Sequence, residues 1–493
     1  MPTSRARCEV ARRPQQPPDP HVEGAGSGGE VGAETPRARH GAVTGPIATL
    51  GPVAALSRRA VLRGIAGATM AGMVRPLMGA SAASGAPLLR AGARPFPGLP
   101  VGYESLPQIE HLVYFVMENH SFDNYFGMLG RGDGFTLGSH GLPLNANPTW
   151  KGGEVRAYHA GSPCTAHYNI GQDWKRSHLA WGHGRNNGFL AETNLTDAMA
   201  YFDASDIPFY YSLGRTFPIC DRYFCSLMGQ TDPNRKFMIG ATSAGQVDDS
   251  GGLVGIIETP SPPTGTIFDL LSENRITWKD YFVDTPTSAG LYPDVAKRHP
   301  LNLAPIAEFF VDAAAGTLPS VSYVDPDGWQ GAEENPQDIQ TGEFFSQLVI
   351  NAVLNGAAWD KTLMLFTYDE HGGYYDHVPP VPMVPPDGIS PAVVDDFGDR
   401  FSWSGFRVPA VVISPWSKAD YVSHVVYDHT SFLRLIETKW NLPALTARDA
   451  NANNLLDCVD FRRPAFATPP KLAPAPLPTG EPSCYLRDPT SPV

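Results

Sequence analysis

The chain lacks several things, and each lack removes a class of protein. No stretch beyond residue 83 approaches eighteen uninterrupted apolar residues, which excludes a membrane-spanning helix there. No internal repeat appears. Charged residues are scarce at 18% of 493, against 42% hydrophobic, so a coiled coil or charged disordered tail is excluded over most of the length. Basic residues are also scarce outside the N-terminus. Ten of the 37 Lys and Arg and five of the 50 Asp and Glu fall in residues 1–83, leaving residues 84–493 at −18. A surface that acidic repels phosphate backbones, so no nucleic-acid partner is expected. Cysteine is sparse as well. Cys8 precedes the body, and Cys164, Cys220, Cys225, Cys458 and Cys484 are an odd number, so at least one thiol is free or pairs between chains. Cys220 and Cys225 have no matching second pair, which argues against a zinc ribbon.

What is present divides the chain. Residues 1–56 have no period and almost no large aliphatic residue before Ile47, as in a disordered leader. Residues 57–83 resemble a twin-arginine export signal: Arg58 and Arg59, then Val61, Leu62 and Arg63, a weakly apolar run, and an A-x-A-like site at Ala80-Ser81-Ala82. Arg75 and Pro76 interrupt the apolar run. The signal implies the twin-arginine machinery as partner and a secreted, periplasmic or cell-envelope location. Residues 84–461 form the expected catalytic body, and 462–493 a Pro-rich tail, extended against the body or loose.

Within the body, residues 111–120, 319–328, 361–373 and 408–417 are continuous apolar runs that end in polar residues. Continuous rather than alternating runs suit strands buried on both faces of a mostly parallel sheet. Helical patterns at 343–355 and 428–440 lie between and after them, giving an α/β alternation. Gly-, His- and Asn-rich residues 128–218 and Pro-rich 375–407 read as loops and short helices over the sheet. Ligands of such sheets sit beyond the carboxyl ends of the strands, where Glu118, Asp369 and Glu370 fall.

Carboxylates at buried strand ends are costly unless paired or bound to metal, so two acidic clusters suggest convergence on one cation, against the plainer reading as loop and helix caps. Residues 229–245 supply a third element. Thr231 or Asp232 as N-cap with Pro233 at the first helical position is an ordinary helix start, and it presents a hydroxyl where backbone N–H groups favour anions. Residues 241–245, ATSAG, approach the serine-hydrolase elbow but carry Ala241 where its first Gly belongs.

ENHSFDNYFG (118–127), QTDPNRKFM (230–238), TYDEHGGYYDHVPP (367–380) and YDHTSFLRLIE (427–437) together resemble the bacterial phosphoesterase family. That family holds non-haemolytic phospholipases C and an acid phosphatase branch within the alkaline-phosphatase-like superfamily. The resemblance implies a three-layer α/β/α sandwich with loop-rich insertions over the active site. It implies Glu118, Asn119, Thr231, Asp369 and Glu370 as metal ligands and Thr231 also as nucleophile. An all-oxygen set favours Ca²⁺, Mg²⁺ or Mn²⁺ over zinc. A histidine is expected to protonate the leaving group. His178 sits where the family places one, with Gly182 replacing an Asn in the motif that follows, and His371 adjoins the acidic pair. His377 and His429 are further candidates, the latter equally a cap or core residue. Gln172 and Asn335 stand where relatives usually carry His. The expected function is hydrolysis of phosphate esters, with phospholipid head groups or small phosphomonoesters as substrates and transient membrane-surface contact. A sulfatase-like activity on the same scaffold and a non-catalytic metal-binding protein are the alternatives.

Overall fold

Each of the four apolar runs supplies a strand of one sheet. The computed structural model describes residues 87–164, 170–191, 195–249, 261–326, 328, 331–393, 395–478 and Cys484. The expected leader, the export signal and most of the tail beyond 478 lie outside the described residues. The strands of the main sheet are β1 (His111–Met117), β2 (Ile219–Cys220), β3 (Trp278–Phe282), β4 (Leu303–Pro305), β5 (Val321–Asp325), β6 (Thr362–Tyr368), β7 (Ala410–Ile413) and β8 (Val422–Ser423). They lie in the order β8-β2-β7-β6-β1-β5-β3-β4. β6, β1, β5, β3 and β4 run parallel, while β7 is antiparallel to both of its neighbours. β1, β5, β6 and β7 are the strands announced by apolar runs, and together they form the four central strands of the sheet. Every residue of β6 and all but the first of β1 are buried, which is why these runs do not alternate.

The helices that matter here are α1 (Phe122–Phe126), α2 (Trp174–Trp181), α3 (Pro208–Thr216), α4 (Thr231–Gly240), α5 (Ile339–Leu354) and α6 (Thr430–Trp440). Successive residues of a strand face opposite ways, so neighbours in β1 identify the two outer layers. Tyr114 stacks on Phe432 of α6, with ring centroids 4.3 Å apart. Its cross-strand neighbour Tyr323 donates its hydroxyl to the Met238 carbonyl of α4. Phe115 instead meets Phe345 of α5 at 5.9 Å, and Phe366 beside it stacks on Tyr210 of α3. The sheet is therefore covered by α4 and α6 on one face and by α3 and α5 on the other, a three-layer α/β/α sandwich. Burying each of these aromatic side chains contributes about 1.5–3 kcal/mol.

Residues 128–218 contain, besides loops and short helices, two small two-stranded sheets. Ala146–Pro148 pairs with Glu154–Arg156, and Tyr158–His159 with Ala200–Tyr201. Phe135, Trp181, Phe189, Tyr374, Tyr375 and Phe406 form a second apolar cluster in this covering layer. The tail runs along the body: Phe466 packs on Phe217, and the Ala475 N–H donates to Gln347. It ends in a disulfide between Cys164 and Cys484. Cys220, Cys225 and Cys458 are buried free thiols, the first and last with sulfurs 3.7 Å apart. Denatured without reductant, the chain from residue 84 onward is expected to titrate three thiols with a chromogenic disulfide reagent, and five after reduction.

Candidate active site at the carboxyl ends of the central strands

The register of two parallel strands builds the site. Met117 at the end of β1 pairs with Tyr368 at the end of β6, and the Asp369 N–H donates to the Met117 carbonyl at 3.1 Å. The residues that follow, Glu118-Asn119 and Asp369-Glu370, therefore emerge side by side. Asp325 closes β5 on the other side of β1. Arg235 of α4, one helical turn beyond Thr231, reaches all three strand ends. Its Nη2 donates to Glu118 Oε1 at 2.9 Å, its Nε to Asp369 Oδ2 at 2.9 Å and its Nη1 to Asp325 Oδ1 at 3.3 Å. Burial alone would lower the guanidinium pKa, but the three carboxylates outweigh it and raise it.

That one cation does not balance the site. Burial raises Glu118 to about 8 and Asp369 to about 7; Arg235 opposes both shifts, and neighbouring carboxylates add to them. Glu370 is raised well above the usual range by burial, opposed by the Gly372 N–H at 2.8 Å and reinforced by Glu118. A side chain at Gly372 would collide with the Asn119 carbonyl, so glycine is required for this turn. Glu334 and Asp249 also feel the charges of Asp369 and Glu370, and burial raises both well above the carboxylate range.

Thr231 is the first residue of α4, and Gln230 is the N-cap. The helix thus starts earlier than the reading of Thr231 or Asp232 as cap, and Pro233 occupies its third position. Proline is tolerated there because the first N–H groups of a helix have no partner within it. The orphan N–H of Asp232 is instead taken by Asp249 Oδ1 at 2.8 Å. Thr231 Oγ1 faces Asn119 Oδ1 at 3.4 Å, joining the helix start to the strand end. The ATSAG segment is no elbow. Ala241 caps α4 with a positive φ, and the buried Ser243 hydroxyl donates to the Gln246 carbonyl.

The structure thus brings together Glu118, Asn119, Thr231, Asp369 and Glu370. Buried Glu370 Oε1 and Asn119 Nδ2 have no hydrogen-bond partner, and neither has either ring nitrogen of His371. Orphaned buried polar atoms, an all-oxygen donor set and carboxylates raised by burial and by one another's charge are what a hard cation would correct, so the residues fit one.

The histidines separate. His371 Nδ1 lies 3.1 Å from Glu370 Oε2 without hydrogen-bond alignment, and its ring packs on Phe406 and Phe189. Burial lowers it to about 3, leaving it neutral. His178 in α2 donates Nδ1–H to the Trp174 carbonyl at 2.7 Å, stacks on Phe397, and points Nε2 at Asp399, 3.4 Å away. Its one aligned hydrogen bond is thus to Trp174, and Nε2, like the ring nitrogens of His371, is buried without a hydrogen-bond partner. His429 stands at the N-cap of α6 without capping it. Its Nε2–H donates to the Asp369 carbonyl at 2.6 Å, while Nδ1 faces the hydroxyls of Tyr114 and Tyr223. Burial lowers it to about 4, so it is a neutral buttress beneath Asp369. Asn335 accepts from the Tyr374 hydroxyl at 2.6 Å. Sequence reasoning missed Arg235, Asp325, Glu334 and Asp249. Only Arg235 lay in one of the four family motifs, in an Arg235-Lys236 pair of the kind usual on solvated helix faces.

A second acidic group, Asp123, Asp376 and His377, brings ligand atoms within 4.8 Å of one another. The fully buried guanidinium of Arg407 bonds Asp376 at 2.8 Å and Asp123 at 3.0 Å, so positive charge is already supplied there. His377 Nδ1 bonds Asp123 Oδ2 at 2.6 Å.

The sequence pattern that defines the phosphoesterase family matches residues 109–443. Phospholipase C A of Mycobacterium tuberculosis is 29% identical over 477 residues, covering 86% of this chain and 88% of that protein. Phospholipase C B of the same organism is 30% identical over 481 residues, covering 85% and 89%. The non-hemolytic phospholipase C of Burkholderia pseudomallei is 31% identical over 405 residues, covering 68% and 56%. Among solved structures, a protein of the alkaline phosphatase superfamily from Vibrio parahaemolyticus aligns over 75% of this chain and 72% of its own, with a TM-score of 0.36 and 8% identity.

The His377 pair carries a pH prediction. Burial would lower this imidazole, but the Asp123 hydrogen bond and the charges of Asp123 and Asp376 raise it to about 9. A raised folded pKa stabilises fully below the unfolded value near 6.5, and the stabilisation is lost as pH climbs through 9. Urea denaturation at pH 6, 8 and 10 is expected to show a decline of at most about 3 kcal/mol from this group, and His377→Asn to flatten it.

Proposed function

Because this chain belongs to the phosphoesterase family, and is accordingly a phosphoric ester hydrolase, we propose that it is an exported, metal-dependent enzyme of phospholipase C type that works through a phosphothreonine at Thr231. The observation that carries this reading is the meeting of Thr231 at a helix start with two acidic strand ends held in register. The phospholipase C relatives, which align with most of the chain, favour phospholipid head-group esters as substrates. Export rests on the Arg58-Arg59 signal.

Glu118, Asn119, Thr231, Asp369 and Glu370 would hold a divalent ion, with Ca²⁺, Mg²⁺ or Mn²⁺ suited to their oxygen atoms. When bound, such an ion supplies positive charge that lowers the hydroxyl pKa of Thr231 and offsets charge on the phosphoryl oxygens. Thr231 Oγ1 attacks the phosphorus in line as the bond to the leaving oxygen breaks, the proton lost by the Thr231 hydroxyl balancing the one the leaving alkoxide takes up to depart as an alcohol; water later cleaves the Thr231 ester and returns a proton to Oγ1. The positive end of the α4 dipole faces the same site and favours the anionic phosphoryl group. Of the two histidines proposed for proton transfer, His371 adjoins Glu370, while His178 donates to Trp174 and turns Nε2 toward Asp399. A neutral His371 would enter as a hydrogen-bond donor to a phosphoryl or leaving oxygen. Arg235 keeps Glu118 and Asp369 aimed inward throughout.

Thr231→Ala protein, its fold verified by circular dichroism, is expected to lose about a thousandfold or more in kcat on aryl phosphate, phosphodiester and phosphatidylcholine substrates. Rapid acid quenching of the unmodified enzyme should place a phosphoryl group on the Thr231 peptide in a mass spectrum. Full activity in the variant would overturn the assignment, and a matched sulfate ester in the panel separates a sulfatase. Chelation should abolish turnover, with Ca²⁺, Mg²⁺ or Mn²⁺ restoring it better than Zn²⁺.

A further inference from the structure

Residues 142–150 carry apolar side chains on one outward face of a covering ribbon. Leu142, Leu144 and Trp150 are 63%, 49% and 56% exposed. Ala146 is half-buried and Pro148 exposed between them, while Pro143 and Asn147 turn inward and are buried. This period of two follows from extended pairing. Asn147 stands opposite Val155, Leu137 bridges to Pro143, and the Leu144 N–H donates to the Thr136 carbonyl. Leu137, 47% exposed, stands opposite Pro143 and so belongs to the other face of the ribbon. Scattered exposed leucines are ordinary, but a continuous apolar stripe held by backbone pairing marks an interaction surface.

The inward side ties this ribbon to the active site. Asn147 donates to the Asn186 carbonyl at 2.8 Å and accepts from the Phe189 N–H at 3.1 Å. Phe189 in turn packs against His371 and Phe406. Charge distinguishes the stripe as well. Residues 134–153 contain no Asp or Glu, in a body carrying −18. Lys151 stands at the ribbon tip with its ammonium 4.9 Å from the Trp150 ring centre, and Arg156 pairs in register with Ala146. Glu154, opposite Pro148, is the carboxylate beside the stripe and lies 3.9 Å from Arg156. Two copies bearing −18 each would repel, and so would an anionic membrane. A zwitterionic phospholipid layer offers hydrocarbon for the stripe and phosphates for Lys151 without that repulsion.

We propose that the ribbon of residues 136–156 docks the enzyme on a zwitterionic phospholipid surface, with Leu142, Leu144 and Trp150 entering the interface and Lys151 meeting lipid phosphates. This rests on the reading of phospholipid as substrate. Docking there would set the covering layer that packs on His371 through Phe189 against the head groups, so that substrate is taken from the layer instead of from solution.

Full-length Thr231→Ala protein, which cannot turn over lipid, is sedimented with phosphatidylcholine vesicles and compared with the same protein carrying Leu144→Ser, Trp150→Ser or Lys151→Glu. Each apolar substitution is expected to weaken vesicle partitioning about tenfold, and the Leu144→Ser/Trp150→Ser pair to abolish it. The same substitutions in the active enzyme should leave hydrolysis of a soluble aryl phosphate unchanged, which also certifies the fold. No partitioning by the parent, or unchanged partitioning by the double variant, overturns the proposal. So does a dimer in analytical ultracentrifugation that the substitutions dissolve. Loss of soluble hydrolysis in the unmodified enzyme would instead strike the phosphoesterase reading, which the vesicle assay does not touch.

Discussion

The Arg235 guanidinium, shared among Glu118, Asp325 and Asp369, is the interaction on which the rest depends. Three buried carboxylates at neighbouring strand ends would force the sheet apart or take up protons if left alone. One planar fork reaching three strands satisfies their geometry but not their charge. The deficit suits the further cation proposed above, while the fork holds three mutually repelling carboxylates in place. Breaking such a contact by removing one partner typically costs several kcal/mol because the others remain buried.

The clamp works only because the sheet delivers its partners at one level. β1, β5 and β6 are adjacent and parallel, so their last residues lie along one edge. α4 then brings two functions to that edge from one helix, a hydroxyl on its first residue and a guanidinium one turn later. His429 adds support from α6 by fixing the Asp369 backbone. Strand register, helix start and buried imidazole each restrict a different degree of freedom of the same few atoms.

Much of this was legible in the residues. The apolar runs ending in Glu118 and Asp369-Glu370 announced strands buried on both faces and placed their acidic ends at the ligand side of a parallel sheet. The flanking strands β2, β4 and β8 were not legible, because runs of two or three residues leave no periodic trace. The antiparallel direction of β7 was equally hidden, since an apolar run has the same composition either way. Among site residues, Thr231 emerged from its motif, yet the helix start was misjudged because Pro233 suits the third position as well as the first. Arg235 went unmarked because a cation on a helix announces its burial only through partners ninety or more residues away in sequence. His178 shows the converse: its motif is local, but what its ring faces depends on Asp399, far along the chain.

The Cys164–Cys484 bond closes a covalent ring spanning 320 positions. Thr231, Arg235, Asp325, Asp369 and Glu370 all lie within that ring, whereas Glu118 and Asn119 enter from the segment before it. A single proteolytic cut in any exposed loop of the ring would therefore leave a nicked but undivided molecule, with the pieces still tethered beside the sheet they share. A cut between residues 119 and 164 would free the strand that carries two of the five residues proposed to hold the ion. The vulnerable stretch is then the one holding the apolar ribbon, and a lipid layer docked there as proposed would shield it from attack.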